Sequence, residues 1–144
     1  MIEDKEMQRE IILDNYQNPK NRGLVSDSSY IIENTNNESC IDNIDIQMKV
    51  DNGVIVDIRF DGEACAISTS ATSIVIKSLI GKSVNDARRI LQNYKNMIEE
   101  KDYDKDLVGE LYVYNEIGKQ PNRITCALLP YNAIIKMLNR LDEV

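Results

Sequence analysis

Residues 44–60 read IDIQMKVDNGVIVDIRF. Apolar and polar side chains alternate on both sides of Asn52-Gly53, and this alternation is the period of a β-strand with one buried face. Asn-Gly is a strong signal for a two-residue hairpin turn. We therefore expect two antiparallel strands, at residues 44–50 and 54–60. The side chains expected to face the core are Ile44, Ile46, Met48, Val50, Val54, Val56, Ile58 and Phe60.

One further strand and several helices complete the expected fold. Residues 29–34 are predicted to extend the hairpin into an antiparallel meander, and residues 3–18 are predicted to form an amphipathic helix that ends before Pro19. The apolar face of this first helix is expected to carry Met7, Ile11, Ile12 and Tyr16. The helices after the sheet are predicted at residues 66–80, 84–99, 107–117 and 126–141.

The start of the last helix depends on one proline. Pro130 would damage a helix interior but is tolerated in a first turn, so we expect this helix to begin near Cys126. Residues 121–125 would then lead into it. The prediction is an α+β fold, in which helices cover one face of a three-stranded antiparallel sheet.

Composition and charge limit the class of protein. The chain has 144 residues, of which 42% are hydrophobic and 28% are charged, and it is expected to form a single domain over residues 1–144. A net charge of −7 argues against a nucleic-acid partner. No apolar run approaches the roughly 20 residues of a membrane span. The charged start, residues 1–5, lacks the apolar region of a signal peptide, so we expect a cytoplasmic protein without a membrane partner.

The chain has three cysteines and no histidine. Disulfides are rare in the cytosol, so these cysteines are expected to be buried, reactive or bound to a metal ion. The absence of histidine excludes a Cys-His nucleophile pair and every metal site that uses imidazole. A metal ion here would need cysteines and carboxylates.

Each cysteine lies at the end of an expected element. Cys40 stands two residues before Asp42 in a polar turn, Cys65 precedes the helix at residues 66–80, and Cys126 opens the last helix. A helix N-terminus favours negative charge and lowers the pKa of a thiol. If these ends meet, Cys40, Asp42, Cys65 and Cys126 make a four-ligand zinc site. The alternative, which the residues alone favour, is three small buried hydrophobic side chains, because free cysteines are often buried and the spacings match no compact C-x-x-C pattern.

Four segments carry a resemblance to a known family. Residues 14–23 read DNYQNPKNRG, residues 40–42 read CID, residues 60–68 read FDGEACAIS and residues 123–127 read RITCA. In this order they resemble the signatures Y-x-N-P-x-N-x-G, C-G-D, F-x-G-x-G-C-x-I-S and R-I-x-C-A of the U-type iron–sulfur cluster assembly family. The resemblance covers about Ile11 to Leu141 and implies a SufE/NifU-like fold.

The chain departs from these signatures at three positions near the cysteines. Ile41 and Ala64 stand where the family has glycine, and Glu38 stands where it has proline. Glycine permits positive φ angles and close backbone approach, so these replacements bear on the shape of the loop and on turnover. The four ligand positions themselves match the family.

The resemblance implies a SufU-type zinc-dependent sulfur acceptor. Such a protein takes persulfide sulfur from a pyridoxal-phosphate-dependent, SufS-type cysteine desulfurase and passes it to downstream iron–sulfur assembly proteins. Cys40 would accept the sulfur, and Zn²⁺ would be held by Cys40, Asp42, Cys65 and Cys126. Asp42 would keep the metal in place while the desulfurase supplies a replacement ligand for Cys40. Arg123 is either a charge partner of the site or a surface cation.

Two other functions stay open. The same four residues could hold iron in a [2Fe–2S] assembly scaffold, or the chain could be a non-catalytic module that binds a desulfurase. Scaffolds of the family usually carry histidine just before the third cysteine, where this chain has Thr125. Residues 95–115 also resemble a SufU-type insertion, so both features favour sulfur transfer.

Overall fold

The structure, a computed structural model, describes residues 2–35 and 42–142. The strands are β1 (Ile31–Asn34), β2 (Asn43–Asp51) and β3 (Val54–Glu63). The α-helices are α1 (Lys5–Gln17), α2 (Ala66–Leu79), α3 (Val84–Ile98), α4 (Lys105–Val108) and α5 (Pro121–Asp142). Two 3₁₀ segments, Gly109–Tyr114 and Ile117–Lys119, connect α4 to α5. The predicted α+β fold is confirmed.

The three strands form one antiparallel sheet in the order β1-β2-β3. Asn52 and Gly53 join β2 to β3 with φ angles of 51° and 74°, and a type I′ turn needs positive φ at both central residues. In the β2–β3 ladder Ile46 pairs with Phe60, and both side chains are fully buried. The predicted hairpin therefore has the expected turn and buried face over most of its length.

The prediction that Val56 faces the core is wrong, and Val54, also predicted to face it, is half-buried. The β2–β3 register shifts between Lys49 and Val50, and Val50 pairs with Ile55. Val56 is the extra residue of this bulge, so the β3 side chains between it and the turn lie on the opposite face from the predicted one, because side chains alternate along a strand. Ile55 is consequently fully buried, whereas Val56 is 44% exposed.

Helix α2 lies at the centre of the helical layer. It packs against α1, α5 and β3, and its side chains are buried on nearly all sides. Its buried hydroxyl groups have partners: Thr72 Oγ1 donates to the Ser68 carbonyl at 2.7 Å, and the Ser70 and Tyr114 hydroxyl oxygens are 2.5 Å apart. Within the described residues, no buried side-chain nitrogen or oxygen lacks a hydrogen-bond partner.

The buried face of α1 differs from the prediction. Met7 and Tyr16 are 39% and 44% exposed, while Ile11 and Ile12 are half-buried. Asn15 is buried instead, because its side-chain oxygen accepts a 2.7 Å hydrogen bond from the Ser73 hydroxyl on α2. A polar contact between helices, rather than the apolar stripe alone, sets the rotation of α1.

The segment after α1 runs along the outer edge of β3. Asn21 has a φ of 58°, and its side-chain amide donates to the Ile58 carbonyl at 2.9 Å. The Gly23 N–H donates to the Phe60 carbonyl at 2.6 Å. The N-P-x-N-x-G signature thus anchors the chain to the strand that leads towards Cys65.

The last helix begins earlier than predicted. Helix α5 starts at Pro121, and Pro130 lies inside it. Proline suits the first helical position because its φ angle is preset and its missing N–H has no helical partner there. Pro130 cannot donate to the Cys126 carbonyl one turn earlier, and the Ser68 hydroxyl oxygen lies 3.3 Å from that carbonyl.

The predicted helix at residues 107–117 is also different. Helix α4 spans Lys105–Val108, and Gly109, with a φ of 52°, ends it before the first 3₁₀ segment. No helix in the described part of the chain is long and apolar enough to cross a membrane.

Candidate metal centre

Asp42, Cys65 and Cys126 converge at one end of the sheet. One carboxylate oxygen and the two sulfur atoms all lie within 4.8 Å of one another. Asp42 precedes β2 and is 1% exposed, whereas the two cysteines, from α2 and α5, are half-buried. Residues distant in the sequence therefore supply three metal-ligand side chains to one place.

The close approach of β2 and β3 brings Asp42 to Cys65. Gly62 has a φ of 132°, and a Cβ atom there would lie only 2.2 Å from the Asn43 carbonyl oxygen. Any side chain at this position would push the two strand ends apart. The glycine of the F-x-G signature therefore serves the packing of the site.

Cys65 is the N-cap residue of α2. Its sulfur accepts a hydrogen bond from the Ser68 N–H at 3.4 Å, and its own N–H donates to Asp42 Oδ1 at 2.8 Å. The start of α2 thus binds the Asp42 carboxylate through a backbone N–H and places the Cys65 sulfur beside it. The predicted place of Cys65, immediately before this helix, is confirmed.

Asp42 is hydrogen-bonded through both carboxylate oxygens. Besides the Cys65 N–H at Oδ1, the Ser68 hydroxyl donates to Oδ2 at 2.5 Å. A buried carboxylate needs such partners, because leaving water without them costs several kcal/mol, roughly. These bonds hold a buried carboxylate, which is a candidate metal ligand, beside the two half-buried cysteines.

The expectation that Cys126 opens a helix is wrong. Because α5 begins at Pro121, Cys126 lies in its second turn, away from the helix N-terminus. Burial, together with the neighbouring Cys65 thiol, raises the pKa of the Cys126 thiol to about 12. Without a cation this thiol is therefore protonated at neutral pH, and a metal ion has to displace the proton.

Cys40, Ile41 and Glu38 lie outside the described residues, so the predicted set of four ligands is seen only in part. Arg123 lies in the first turn of α5 and lines a groove of about 520 Å³ with Lys5, Arg9 and other residues. No ion pair joins Arg123 to a carboxylate within residues 2–35 and 42–142.

Sequence reasoning assigned no role to Ser68, although the signature FDGEACAIS ends on it. The spacing in the sequence could have indicated such a role. Residues three apart on a helix are neighbours, so Ser68 lies on the same side of α2 as Cys65. The sequence could place Ser68 beside Cys65 but not beside Asp42.

The three donors fit a thiophilic metal ion. Two ligand atoms at 2.3 Å from one tetrahedral ion are about 3.8 Å apart, so small side-chain movements would let these donors share a cation. Thiolate and carboxylate donors suit Zn²⁺, and thiolates also hold iron–sulfur clusters. The donor set therefore supports metal binding without distinguishing these metals.

The chain is similar to known proteins over most of its length. Residues 7–136 match the NifU-like N terminal domain family. The zinc-dependent sulfurtransferase SufU of Bacillus subtilis (strain 168) is 34% identical over 129 residues, which cover 89% of this chain and 86% of that protein. The iron–sulfur cluster assembly scaffold protein IscU of Thermotoga maritima is 28% identical, covering 96% of this chain and 97% of that protein.

A solved structure agrees with these similarities. A candidate iron–sulfur cluster assembly scaffold protein of the SUF system, from Fervidobacterium islandicum AW-1, superimposes with a TM-score of 0.82. It is 29% identical, and the match covers 90% of this chain and 94% of that chain. The proteins that this chain resembles thus include a sulfurtransferase and scaffold proteins.

Proposed function

The chain belongs to the NifU-like N-terminal domain family of iron–sulfur cluster assembly proteins, and we propose that it acts there as a zinc-dependent sulfur acceptor. The observation that supports this proposal is the convergence of Asp42, Cys65 and Cys126 within 4.8 Å. The 34% identity to a zinc-dependent sulfurtransferase favours zinc and sulfur transfer.

In this proposal Cys40, Asp42, Cys65 and Cys126 hold Zn²⁺ together. Bound zinc would keep the cysteines as thiolates at neutral pH. Asp42, hydrogen-bonded to the Cys65 N–H and the Ser68 hydroxyl, would stay in place when Cys40 leaves the site. Cys65 and Cys126, each on a packed helix, would do the same.

Cys40 is proposed to accept the sulfur. Its thiolate attacks the outer sulfur of a persulfide on a pyridoxal-phosphate-dependent, SufS-type cysteine desulfurase. A new S–S bond forms at Cys40, the S–S bond on the desulfurase breaks, and the desulfurase cysteine leaves as a thiolate. The Cys40 persulfide then passes its outer sulfur to a downstream iron–sulfur assembly protein.

The proposed role of Cys40 is tested by mixing the protein with a SufS-type desulfurase and cysteine. The wild-type protein should accelerate sulfide release when a reductant is present, and without reductant it should gain the mass of one sulfur atom on Cys40. Cys40→Ala should do neither. Stimulation and persulfide formation that survive Cys40→Ala would contradict the assignment, and binding without stimulation by the wild-type protein would indicate a non-catalytic module.

A cluster scaffold is the second candidate, and the similarity to an IscU scaffold over 96% of this chain favours it. Anaerobic reconstitution with iron and sulfide separates the two functions. A stable visible chromophore at stoichiometric yield would favour the scaffold. Tightly bound stoichiometric zinc in the purified protein, with no chromophore after reconstitution, would favour the sulfur acceptor.

A further inference from the structure

Ser68 has a buried side chain that contacts all three residues of the candidate metal centre. It is 0% exposed and lies in the first turn of α2. Its hydroxyl donates to Asp42 Oδ2 at 2.5 Å, and its oxygen lies 3.4 Å from Cys65 Sγ and 3.3 Å from the Cys126 carbonyl. The buried hydroxyls of Ser70 and Thr72 on the same helix bond to Tyr114 and to the Ile67 and Ser68 carbonyls, and not to Asp42, Cys65 or Cys126.

The single hydroxyl proton of Ser68 belongs to the bond with Asp42. A carboxylate is a charged acceptor, and such hydrogen bonds are shorter and stronger than bonds between neutral groups. The distance of 2.5 Å to Asp42 Oδ2 is correspondingly much shorter than the 3.3 Å to the Cys126 carbonyl. Ser68 is therefore primarily a donor to the carboxylate.

Two hydrogen bonds from described residues contribute to the orientation of the Asp42 carboxylate. The bond to Oδ1 comes from the backbone N–H of Cys65, so no side-chain substitution removes it. Among the described residues, the bond to Oδ2 comes from the Ser68 hydroxyl, which a substitution can remove. Together they set the direction in which the carboxylate faces the sulfur atoms of Cys65 and Cys126.

We propose that Ser68 is a positioning residue for metal binding, whose hydroxyl orients the Asp42 carboxylate towards the two sulfur atoms before a cation arrives. This inference rests on the metal site of the proposed function. Groups that hydrogen-bond to metal ligands orient them, and removing such groups typically lowers metal affinity by about 10- to 100-fold. Ser68 should have an effect of this size although it does not itself bind the metal.

The experiment uses Co²⁺ as the probe, because tetrahedral Co²⁺ bound to thiolates absorbs in the visible range. Ser68→Ala should weaken Co²⁺ binding by about 10- to 100-fold and change the intensity and position of the visible bands. Ser68→Thr, which keeps the hydroxyl, should retain most of the affinity and the wild-type spectrum.

The matched control is Ser70→Ala. Ser70 is buried to the same extent on the same helix, and its hydroxyl bonds to Tyr114 and the Ile67 carbonyl. Ser70→Ala should lower stability while leaving Co²⁺ affinity and spectrum unchanged. A general loss of packing would affect both alanine variants, whereas a positioning role affects only Ser68→Ala.

Wild-type Co²⁺ affinity and an unchanged spectrum in Ser68→Ala would overturn the inference. If Ser68→Ala does not fold, Ser68→Thr and Ser68→Val replace it, because they share a shape and differ in the hydroxyl. Weaker binding by the valine variant supports the inference, and equal binding overturns it. A wild-type protein that binds no Co²⁺ would instead overturn the metal site of the proposed function, and the inference with it.

Discussion

At the scale of single residues, buried polar groups are positioned by specific partners in this protein. Asp42 accepts hydrogen bonds at both carboxylate oxygens, and Asn15 is held by Ser73. Tyr94, fully buried on α3, donates its hydroxyl to the Ala127 carbonyl on α5 at 2.7 Å. This last bond ties α3 to the turn of α5 that carries Cys126.

The buried tyrosines predict a loss of stability at alkaline pH. Burial raises the pKa of Tyr94 well above its ordinary value, and burial also raises that of Tyr114. The unfolded chain would release these phenol protons near pH 10, roughly, while the folded chain keeps them, so the free energy of unfolding should fall as pH rises above that value. Urea denaturation at a series of pH values measures this slope.

Tyr94→Phe should flatten the alkaline slope and, at neutral pH, lower the free energy of unfolding by about 1 kcal/mol through the lost hydrogen bond. Tyr16→Phe is the control, because Tyr16 is 44% exposed and should leave the slope unchanged. An identical slope in the wild-type protein and Tyr94→Phe would count against the role of Tyr94.

At the scale of elements, the end of β3 and an interrupted turn of α5 decide where the candidate metal ligands lie. Gly62 lets β3 approach β2 closely just before Cys65. In α5, Pro130 leaves the Cys126 carbonyl without its helical donor, and the Ser68 hydroxyl oxygen lies near that carbonyl. A strand end and an interrupted helix turn thus face each other across the candidate site.

The strand ends provide a prediction at this scale. Gly62→Ala should lower the free energy of unfolding by about 3 kcal/mol or more, because the new Cβ would meet the Asn43 carbonyl oxygen at 2.2 Å. It should also weaken Co²⁺ binding, since Asp42 directly precedes Asn43. Urea denaturation and Co²⁺ titration measure the two effects.

Gly53→Ala is the matched control for Gly62→Ala. Gly53 also has a positive φ, 74°, but no atom lies within 4 Å of a Cβ built there. Its substitution should cost only the backbone strain, about 1–2 kcal/mol, and leave Co²⁺ affinity unchanged. If the two variants lose equal stability, the close approach at Gly62 is not what requires glycine.

At the scale of the whole molecule, the candidate site joins one end of the sheet to two helices of the helical layer. Asp42 directly precedes β2, while Cys65 caps α2 and Cys126 lies in α5, and these two helices pack against each other. A cation bound by all three would cross-link the layers of the fold. Metal binding should therefore stabilise the protein as a whole.

Zinc removal tests this cross-link. A metal ion that binds only the folded state adds about 2.7 kcal/mol at a free concentration 100 times its Kd. We expect chelation to lower the Tm by several degrees and added Zn²⁺ to restore it, as followed by calorimetry. Cys126→Ser should respond much less to either treatment. An equal Tm with and without zinc in the wild-type protein would contradict the cross-link.

Patterns within the sequence were enough to predict much of the fold. Alternation at residues 44–60 and the Asn52-Gly53 turn depend on neighbouring residues, so the hairpin could be predicted locally. The signatures around Cys65 and Cys126 likewise identified the two sulfur atoms that the structure brings together. The family assignment rested on the same segments and is confirmed.

Other features depend on contacts between distant residues. The bulge at Lys49–Val50 and the start of α5 at Pro121 escaped prediction, because more than one register or helix start satisfies the local pattern. The burial of Asn15 depends on Ser73, 58 residues away, and the role proposed for Ser68 depends on Asp42, 26 residues away. Such hydrogen bonds form only when distant segments pack against each other, so local sequence patterns cannot predict them.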